Sequence, residues 1–289
     1  MSWLETYRGT VNRWEVDNVD HFTVAFYFER FEDATAALLG ALGLPDDTGD
    51  VTECRVRYIR ELRVGDILHI RSGVLAIEGD ELVLAHEVLD SASGTVCTTV
   101  EQRVAAIGAG PRAAAAARTV IWSAPPEPPR PGAAPAPAPD GDRGFMDAVR
   151  DAVKPWELDR RGRADWPAYI HRFSAANAQL IAAFGMTPAY MRDRHRGFST
   201  FDFKLRFAGV LRVGDPVLVR SALLHVGGSS IRIFHRLTNA STGELAATLE
   251  QSGVHLDLDA RRPAALPDEF RERARGLLVG ATAPAGAGG

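Results

Sequence analysis

The sequence predicts an α+β protein made of two copies of one unit, and three observations carry that expectation. Short motifs recur in order at a fixed spacing, each copy shows one helical apolar period followed by a series of strand-like runs, and a stretch dense in proline and alanine separates the copies.

The repeat comes first. Trp14-Glu15-Val16-Asp17 returns as Trp156-Glu157-Leu158-Asp159, an offset of 142 that also pairs Tyr27 with Tyr169, Arg30-Phe31 with Arg172-Phe173, Leu38 with Leu180 and Gly43 with Gly185. Beyond Gly43 the offset becomes 149. It pairs Arg57 with Arg206, Leu62-Arg63-Val64-Gly65-Asp66 with Leu211-Arg212-Val213-Gly214-Asp215 letter for letter, His86 with His235, and Glu101-Gln102 with Glu250-Gln251. The second copy therefore carries seven more residues (149 − 142) between Met186 and Phe203. A dozen matches in order with one change of register indicate a duplication, and put the function where the copies meet.

Within the first copy, Glu5 to Glu15 reads as a strand leading into a loop over Asp17 to Phe22. Val24, Tyr27, Phe28, Phe31, Ala34, Thr35, Leu38 and Leu42 then recur at three- and four-residue steps, the spacing of a helix with one apolar face, and Gly43 ends it. Trp166, Tyr169, Ile170, Phe173, Leu180 and Phe184 repeat the pattern, with Gly185 as the stop. After each helix come strands: Arg55 to Ile59, Ile67 to Ile77, Leu82 to Leu89 and Thr95 to Ala105, separated by Gly- and Asp-rich turns. An apolar helix of about five turns needs a concave cover, so the sheet is expected to wrap it. The expected organisation is a first domain over 1–108, a Pro/Ala-rich linker over 109–144 running as an extended tether, a second domain over 145–280 and a disordered tail over 281–289. Within the linker, Thr119 to Trp122 reads as a segment able to pack on a domain.

Composition excludes several functions. The net charge is −4 with no long basic run, so no affinity for nucleic acid or an anionic membrane is expected. The amino terminus lacks a signal-peptide pattern and no apolar run spans a bilayer, which reads as a soluble cytoplasmic protein. Cys54 and Cys97 sit in apolar runs of one copy and predict no disulfide framework. His86 and His235 have no second ligand at metal-binding spacing, so no metal is expected. Arg55, Arg57, Lys204 and Arg206 form a basic strand at alternating positions. One face of it suits the phosphates of coenzyme A or an acyl carrier, and a solvated strand edge explains it as well. Trp14 and Trp156 read as core wedges. The extra segment with Tyr190 to His195 is either a lid or a surface turn.

Tyr7-Arg8-Gly9-Thr10-Val11, Trp14, Asp17, His21, Tyr27, Phe31-Glu32-Asp33-Ala34-Thr35 and Leu42-Gly43-Leu44 resemble the opening of hotdog-fold acyl-CoA thioesterases of the 4-hydroxybenzoyl-CoA thioesterase-like superfamily. Gly253 to Asp257, Arg261-Arg262-Pro263 and Leu266 to Glu269 resemble the end of the same family. The resemblance implies two tandem hotdog domains forming an intrachain pseudo-dimer, with helices in the concavity of one long sheet and an acyl-CoA or acyl-carrier thioester bound between them. It implies hydrolysis by a carboxylate at a helix entrance, helped by amides at the helix amino terminus, with no cofactor beyond the coenzyme A of the substrate, and allows further homo-oligomerisation.

Carried over by position, Asp17 matches the family's catalytic aspartate and His21 its histidine, with Thr23 in place of an asparagine. Asp159 matches the aspartate of the second copy, where Arg163 replaces the histidine and Asp165 the asparagine. With Arg55, Arg57, Lys204 and Arg206, the residues Arg163 and Asp165 are the expected substrate contacts. Structural roles stand beside these: Thr23 and Asp165 are good helix caps, and Asp17 and Asp159 fit asx-type turns. The twice-missing asparagine makes a non-catalytic acyl-thioester-binding protein one alternative. The other is a hotdog enoyl-thioester hydratase or dehydratase, which resembles this fold but separates its aspartate and histidine by four residues where Asp17 and His21 have three between them. Because the copies keep their scaffold and diverge at His21/Arg163, one principal site is expected, built around Asp17 and completed by the other half.

Overall fold

The computed structural model describes residues 3–17, 19–44, 50–105, 111–122, 139, 141 and 144–279. The first half contains β1 (Leu4–Thr10), α1 (Val24–Ala41), β2 (Val51–Tyr58), β3 (Ile67–Glu78), β4 (Glu81–Asp90), β5 (Val96–Val104) and α2 (Pro111–Ala117). The second contains β6 (Met146–Ala152), α3 (Trp166–Ala183), α4 (Pro188–Asp193), β7 (Arg196–Phe207), β8 (Pro216–Val226), β9 (Ser230–Asn239), β10 (Leu245–Asp257), β11 (Arg262–Pro263) and α5 (Asp268–Arg275).

The strands form one antiparallel sheet in the order β1-β3-β4-β5-β2-β7-β10-β9-β8-β6, with β11 paired to β10. Read outward from the β2–β7 seam the two halves have the same order, as the duplication predicts. At the seam Cys54 faces Leu205, Arg55 faces Lys204 and Val56 faces Phe203. The two 18-residue helices pack on each other and on the outer strands of their own halves. Phe28, Phe31 and Phe173 are fully buried in a core shared by both halves. This is the paired hotdog arrangement.

The repeated five-residue turn explains its own identity between the copies. Leu62 and Leu211 are buried; Gly65 and Gly214 stand at φ of 85° and 82°, where a side chain would strain the backbone; and Asp66 and Asp215 accept from the Arg63 and Arg212 amides at 2.9 and 2.8 Å. The Leu62 and Leu211 carbonyls accept from Phe22 N and Ala164 N, so each turn anchors the loop that enters its helix.

Three expectations need correction. Trp14 and Trp156 are not core wedges: they are 73% and 78% exposed. Their neighbours turn inward instead, Glu15 to pair with Arg30 and Glu157 to pair with Arg172 at 2.8 Å, which fixes the Trp side chains on the outside of the turn. The first strand stops at Thr10, because Asn12 and Glu15 close a capping box around a 3-10 turn, Arg13–Glu15. The linker segment opens with the helix α2 rather than extended chain. Ala115 joins Leu38, Leu42 and Val74 in a core cluster, and Thr119 bridges Val74 in parallel. Leu278, after α5, bridges Leu223 in the same way, and Val74 and Leu223 are 149 residues apart. The duplication thus extends past β5 to this short helix and its bridge. Residues 123–138 of the linker and the tail 281–289 lie outside the described residues.

The segment that carries the seven extra residues forms α4 and lengthens the start of β7 by four residues relative to β2. Tyr190 of α4 packs on the Phe270 ring at 4.7 Å and places its hydroxyl 3.2 Å from His255 Nε2, so the segment is a wall of the second half.

Candidate functional site at the two helix entrances

Each helix begins at a pocket whose far wall comes from the other half. The α1 entrance opens on a pocket of about 800 Å³, closed by α3 through His171, Ser174, Asn177 and Ile181. The α3 entrance opens on one of about 550 Å³, closed by α1 through Glu32, Thr35, Ala36 and Leu39.

The loops that lead in are the same. Asp17 Oδ1 accepts from the amides of Val19 and His21 at 2.9 and 3.0 Å, and Asp159 Oδ1 from those of Arg161 and Arg163 at 2.8 and 2.9 Å. Both aspartates therefore hold the asx-type turn that their spacing allowed. They differ in the second oxygen. Asp159 Oδ2 accepts from Arg163 Nε at 2.9 Å, and Arg163 reaches on to Asp50 at 2.9 Å. Burial works against ionisation of Asp159, but the Arg163 amide and guanidinium outweigh it and hold the carboxyl below its ordinary range. Asp17 Oδ2 has no hydrogen-bond or ionic partner among the described residues, and Asp17 lines the α1 pocket.

The first-turn amides differ in the same direction. A helix cannot satisfy its own first N–H groups, so they fall to side chains, solvent or ligand. At α3, Trp166 N donates to Glu32 Oε2 at 3.3 Å, residue 167 is a proline with no N–H, and Asp165 Oδ1 accepts from Ala168 N at 2.8 Å. Asp165 is a true cap. At α1, Thr23 occupies the capping position without making the cap bond, and its buried hydroxyl has no partner. Phe26 N donates to Thr23 O, whereas Val24 N and Ala25 N meet no protein acceptor among the described residues. The α1 entrance thus presents two free amides beside a carboxylate oxygen that is also free.

His21 is largely buried between two groups that sequence reasoning did not single out as site residues. Its Nε2 lies 3.0 Å from Glu61 Oε2 and 2.8 Å from Arg261 Nη2, and Arg261 also donates to Glu61 at 2.5 Å. Burial alone would raise the Glu61 carboxyl; the hydrogen bonds from His21 and Arg261 outweigh it and hold it down at about 2. Arg261 comes from the far end of the chain, so this cluster ties the second half across the α1 entrance. The signal for Glu61 was present as a mismatch: it sits beside the repeated turn, where the other copy has Val210.

Glu32 was missed in the same way. Its repeat partner is Ser174, and each faces the opposite entrance. Burial pushes the Glu32 carboxyl up to about 7, with Asp165 and Asp159 adding to the effect and the Trp166 amide opposing it.

The basic strand lines neither pocket. Arg55, Arg57, Lys204 and Arg206 alternate with the buried Cys54, Val56, Phe203 and Leu205, so they project from the outer face of the sheet. There they meet acids. Arg55 and Arg57 lie 3.6 and 3.9 Å from Asp202, and Lys204 and Arg206 lie 3.3 and 2.7 Å from Glu53. His86 and His235 are fully buried and bonded to Ser72 and Ser221 at 2.6 and 2.7 Å, and burial lowers both imidazoles, to about 4 and about 3. They act as core polar links. No helix among the described residues is long and apolar enough to cross a membrane.

Comparison with known proteins agrees with this architecture. An acyl-ACP thioesterase of Bacteroides thetaiotaomicron superposes with a TM-score of 0.65 over 86% of this chain and 96% of its own, at 10% identity, which shows a shared fold. The L-carnitine dehydrogenase/betainyl-CoA thioesterase of Rhizobium meliloti is 26% identical over 134 residues, 45% of this chain and 27% of that protein. The betainyl-CoA thioesterase of Pseudomonas aeruginosa is 28% identical over 125 residues, 43% of this chain and 79% of that protein. The chain spans about a quarter of the length of the first of these relatives. The model of the thioesterase-like superfamily matches twice, over residues 11–141 and 153–274, and the chain belongs to that superfamily.

Proposed function

We propose that the protein hydrolyses acyl-CoA thioesters, and that it does so at the α1 entrance. The observation that carries this reading is the pairing of two unpartnered helix amides, Val24 and Ala25, with the free Oδ2 of Asp17. The amides and the helix dipole stabilise negative charge where a thioester carbonyl oxygen becomes an oxyanion. Asp17 is the base that takes the proton of the attacking water. The tetrahedral intermediate then collapses, the carbonyl re-forms and the coenzyme A thiolate leaves. The Asp17 side chain is pre-positioned for this because its other oxygen is fixed by the Val19 and His21 amides. His21, Glu61 and Arg261 hold the entrance loop against the second half and keep the pocket walls together.

The coenzyme A carrier is supported by the two betainyl-CoA thioesterases similar to this chain. No cofactor enters the reaction, since water, a base and an oxyanion site suffice.

The test is a panel of saturated and 2-enoyl acyl-CoA substrates, followed for free thiol and for enoyl absorbance. Hydrolysis predicts thiol release from saturated substrates. Loss of enoyl absorbance without thiol makes the protein a hydratase, and binding without either change makes it a non-catalytic receptor.

A further inference from the structure

The rim of the α1 pocket carries side chains that folding does not require. Ile59 N and Arg60 N donate to Cys97 O at 2.9 and 3.0 Å, and their repeat partners Ala208 N and Gly209 N donate to Ala246 O at 2.9 and 3.1 Å. The backbone is therefore the same at the two entrances, and the second half holds it with an alanine and a glycine. An arginine could not stand at Gly209, where a Cβ would meet Leu245 O at 2.7 Å. In the first half Ile59 is 60% exposed and the Arg60 side chain 51%, and both line the α1 pocket. Side chains this exposed add little to stability. A hydrocarbon and a guanidinium held out over a pocket mouth serve a ligand rather than the fold.

Trp14 belongs to the same rim. It lines the α1 pocket, whereas the similarly exposed Trp156 lines neither entrance pocket. The capping box of Asn12 and Glu15 fixes the turn that carries Trp14, so the indole is presented outward on an ordered piece of backbone. Arg261 is the fourth member. Arg60 meets Asp90 through Nη1, and Arg261 meets Glu61 and His21 through Nη2; their other guanidinium nitrogens have no partner among the described residues. An exposed indole flanked by an isoleucine offers a face to a flat base, and guanidinium forks match phosphate oxygens. A saturated acyl tail would gain nothing from the two cations, and inorganic phosphate nothing from the ring. A purine nucleotide gains from both.

We propose that Trp14, Ile59, Arg60 and Arg261 form a site for the nucleotide end of coenzyme A, with the adenine on Trp14 and the phosphates on the two arginines. The protein then distinguishes a coenzyme A thioester from the same acyl group on a bare pantetheine arm, which shares the reacting bond but has no base. This rests on the α1 pocket being the acyl-thioester site.

The test compares one acyl group on coenzyme A, on pantetheine and on an acyl carrier protein. The site predicts a kcat/KM roughly 10- to 100-fold higher for coenzyme A than for pantetheine, the range that stacking of one base supplies. Trp14→Ala narrows that ratio by raising KM for the coenzyme A thioester. Arg60→Gly, which installs the second copy's residue, narrows it too and weakens the dependence of KM on salt. Trp156→Ala, which removes a similarly exposed indole, leaves the ratio unchanged. Equal kcat/KM for the coenzyme A and pantetheine thioesters, a ratio that Trp14→Ala leaves intact, or a preference for the carrier protein overturns the proposal. Should no thioester of any class be turned over, hydrolysis fails and the site is decided by calorimetry with adenosine 3′-phosphate 5′-diphosphate. Binding lost in Trp14→Ala and kept in Trp156→Ala then supports it, and no binding, or binding that Trp14→Ala leaves intact, refutes it.

Discussion

The α1 and α3 entrances are made by the same loop, closed by the same aspartate and anchored by the same turn, yet one is open and the other is filled. At α3, Arg163 takes the free oxygen of Asp159, Pro167 removes one amide, and Glu32 and Asp165 occupy two more. At α1 the equivalent places hold His21, Ala25 and Thr23, and face Ser174 in place of Glu32, which leaves carboxylate and amides available. On the proposed reading, the second copy of the site is retired by being satisfied from within. Loop, aspartate and turn are the same at the two entrances, and the partners of four or five polar atoms differ.

The sharpest way to break this comparison is to import the second copy's residues into the first. Ala25→Pro places at α1 the proline that α3 carries at the equivalent helix position, so the helix tolerates it while one oxyanion donor disappears. We expect kcat to fall about 10²–10³-fold with an unchanged melting temperature. An unchanged kcat in the folded variant removes the amides from the mechanism.

The filled entrance makes a thermodynamic prediction. Glu32 rises from an ordinary value of 4.5 to about 7 in the folded protein, so the folded state holds this proton to higher pH than the unfolded chain does. The stability it contributes is complete below about pH 4.5 and is lost as pH rises through about 7, a decline of up to about 3 kcal/mol. Glu32→Gln flattens this decline in denaturation curves across that window while the Trp166 amide keeps an acceptor. A wild-type slope that survives in the variant belongs to another group.

The smallest effect concerns the loop itself. Asp20 stands at φ 61°, where the other copy has Gly162 at 71°. Asp20→Gly relieves a left-handed non-glycine residue and is expected to stabilise the protein by about 1 kcal/mol, less the loss of an exposed contact with Arg13. A lowered melting temperature contradicts this.

Much of this was legible in the sequence because the repeat acted as its own alignment. Gly65/Gly214, Leu62/Leu211 and Asp66/Asp215 could be seen to matter, since backbone strain, burial and capping each demand one residue type. The sheet, the helices and the location of Asp17 and His21 followed. What stayed hidden depended on rotamers and distant partners. Whether Trp14 or Glu15 turns inward depends on Arg30, 15 residues away. That Arg261 closes over His21, 240 residues earlier, has no local signature. The outward direction of Arg55 and Lys204 was fixed by strand register, which alternation alone leaves open by one residue. Mismatches between the copies, Glu32 against Ser174 and Glu61 against Val210, marked the site better than the matches did.

The central claim is that hydrolysis occurs at α1 and not at α3, and paired aspartate variants test it most directly. Asp17→Asn keeps the acceptor for the loop amides and removes the base, and thiol release should fall about 10²–10⁴-fold. Asp159→Asn, with its own loop equally preserved, should leave kcat unchanged. Thiol release that survives in Asp17→Asn and disappears in a folded Asp159→Asn would contradict the account.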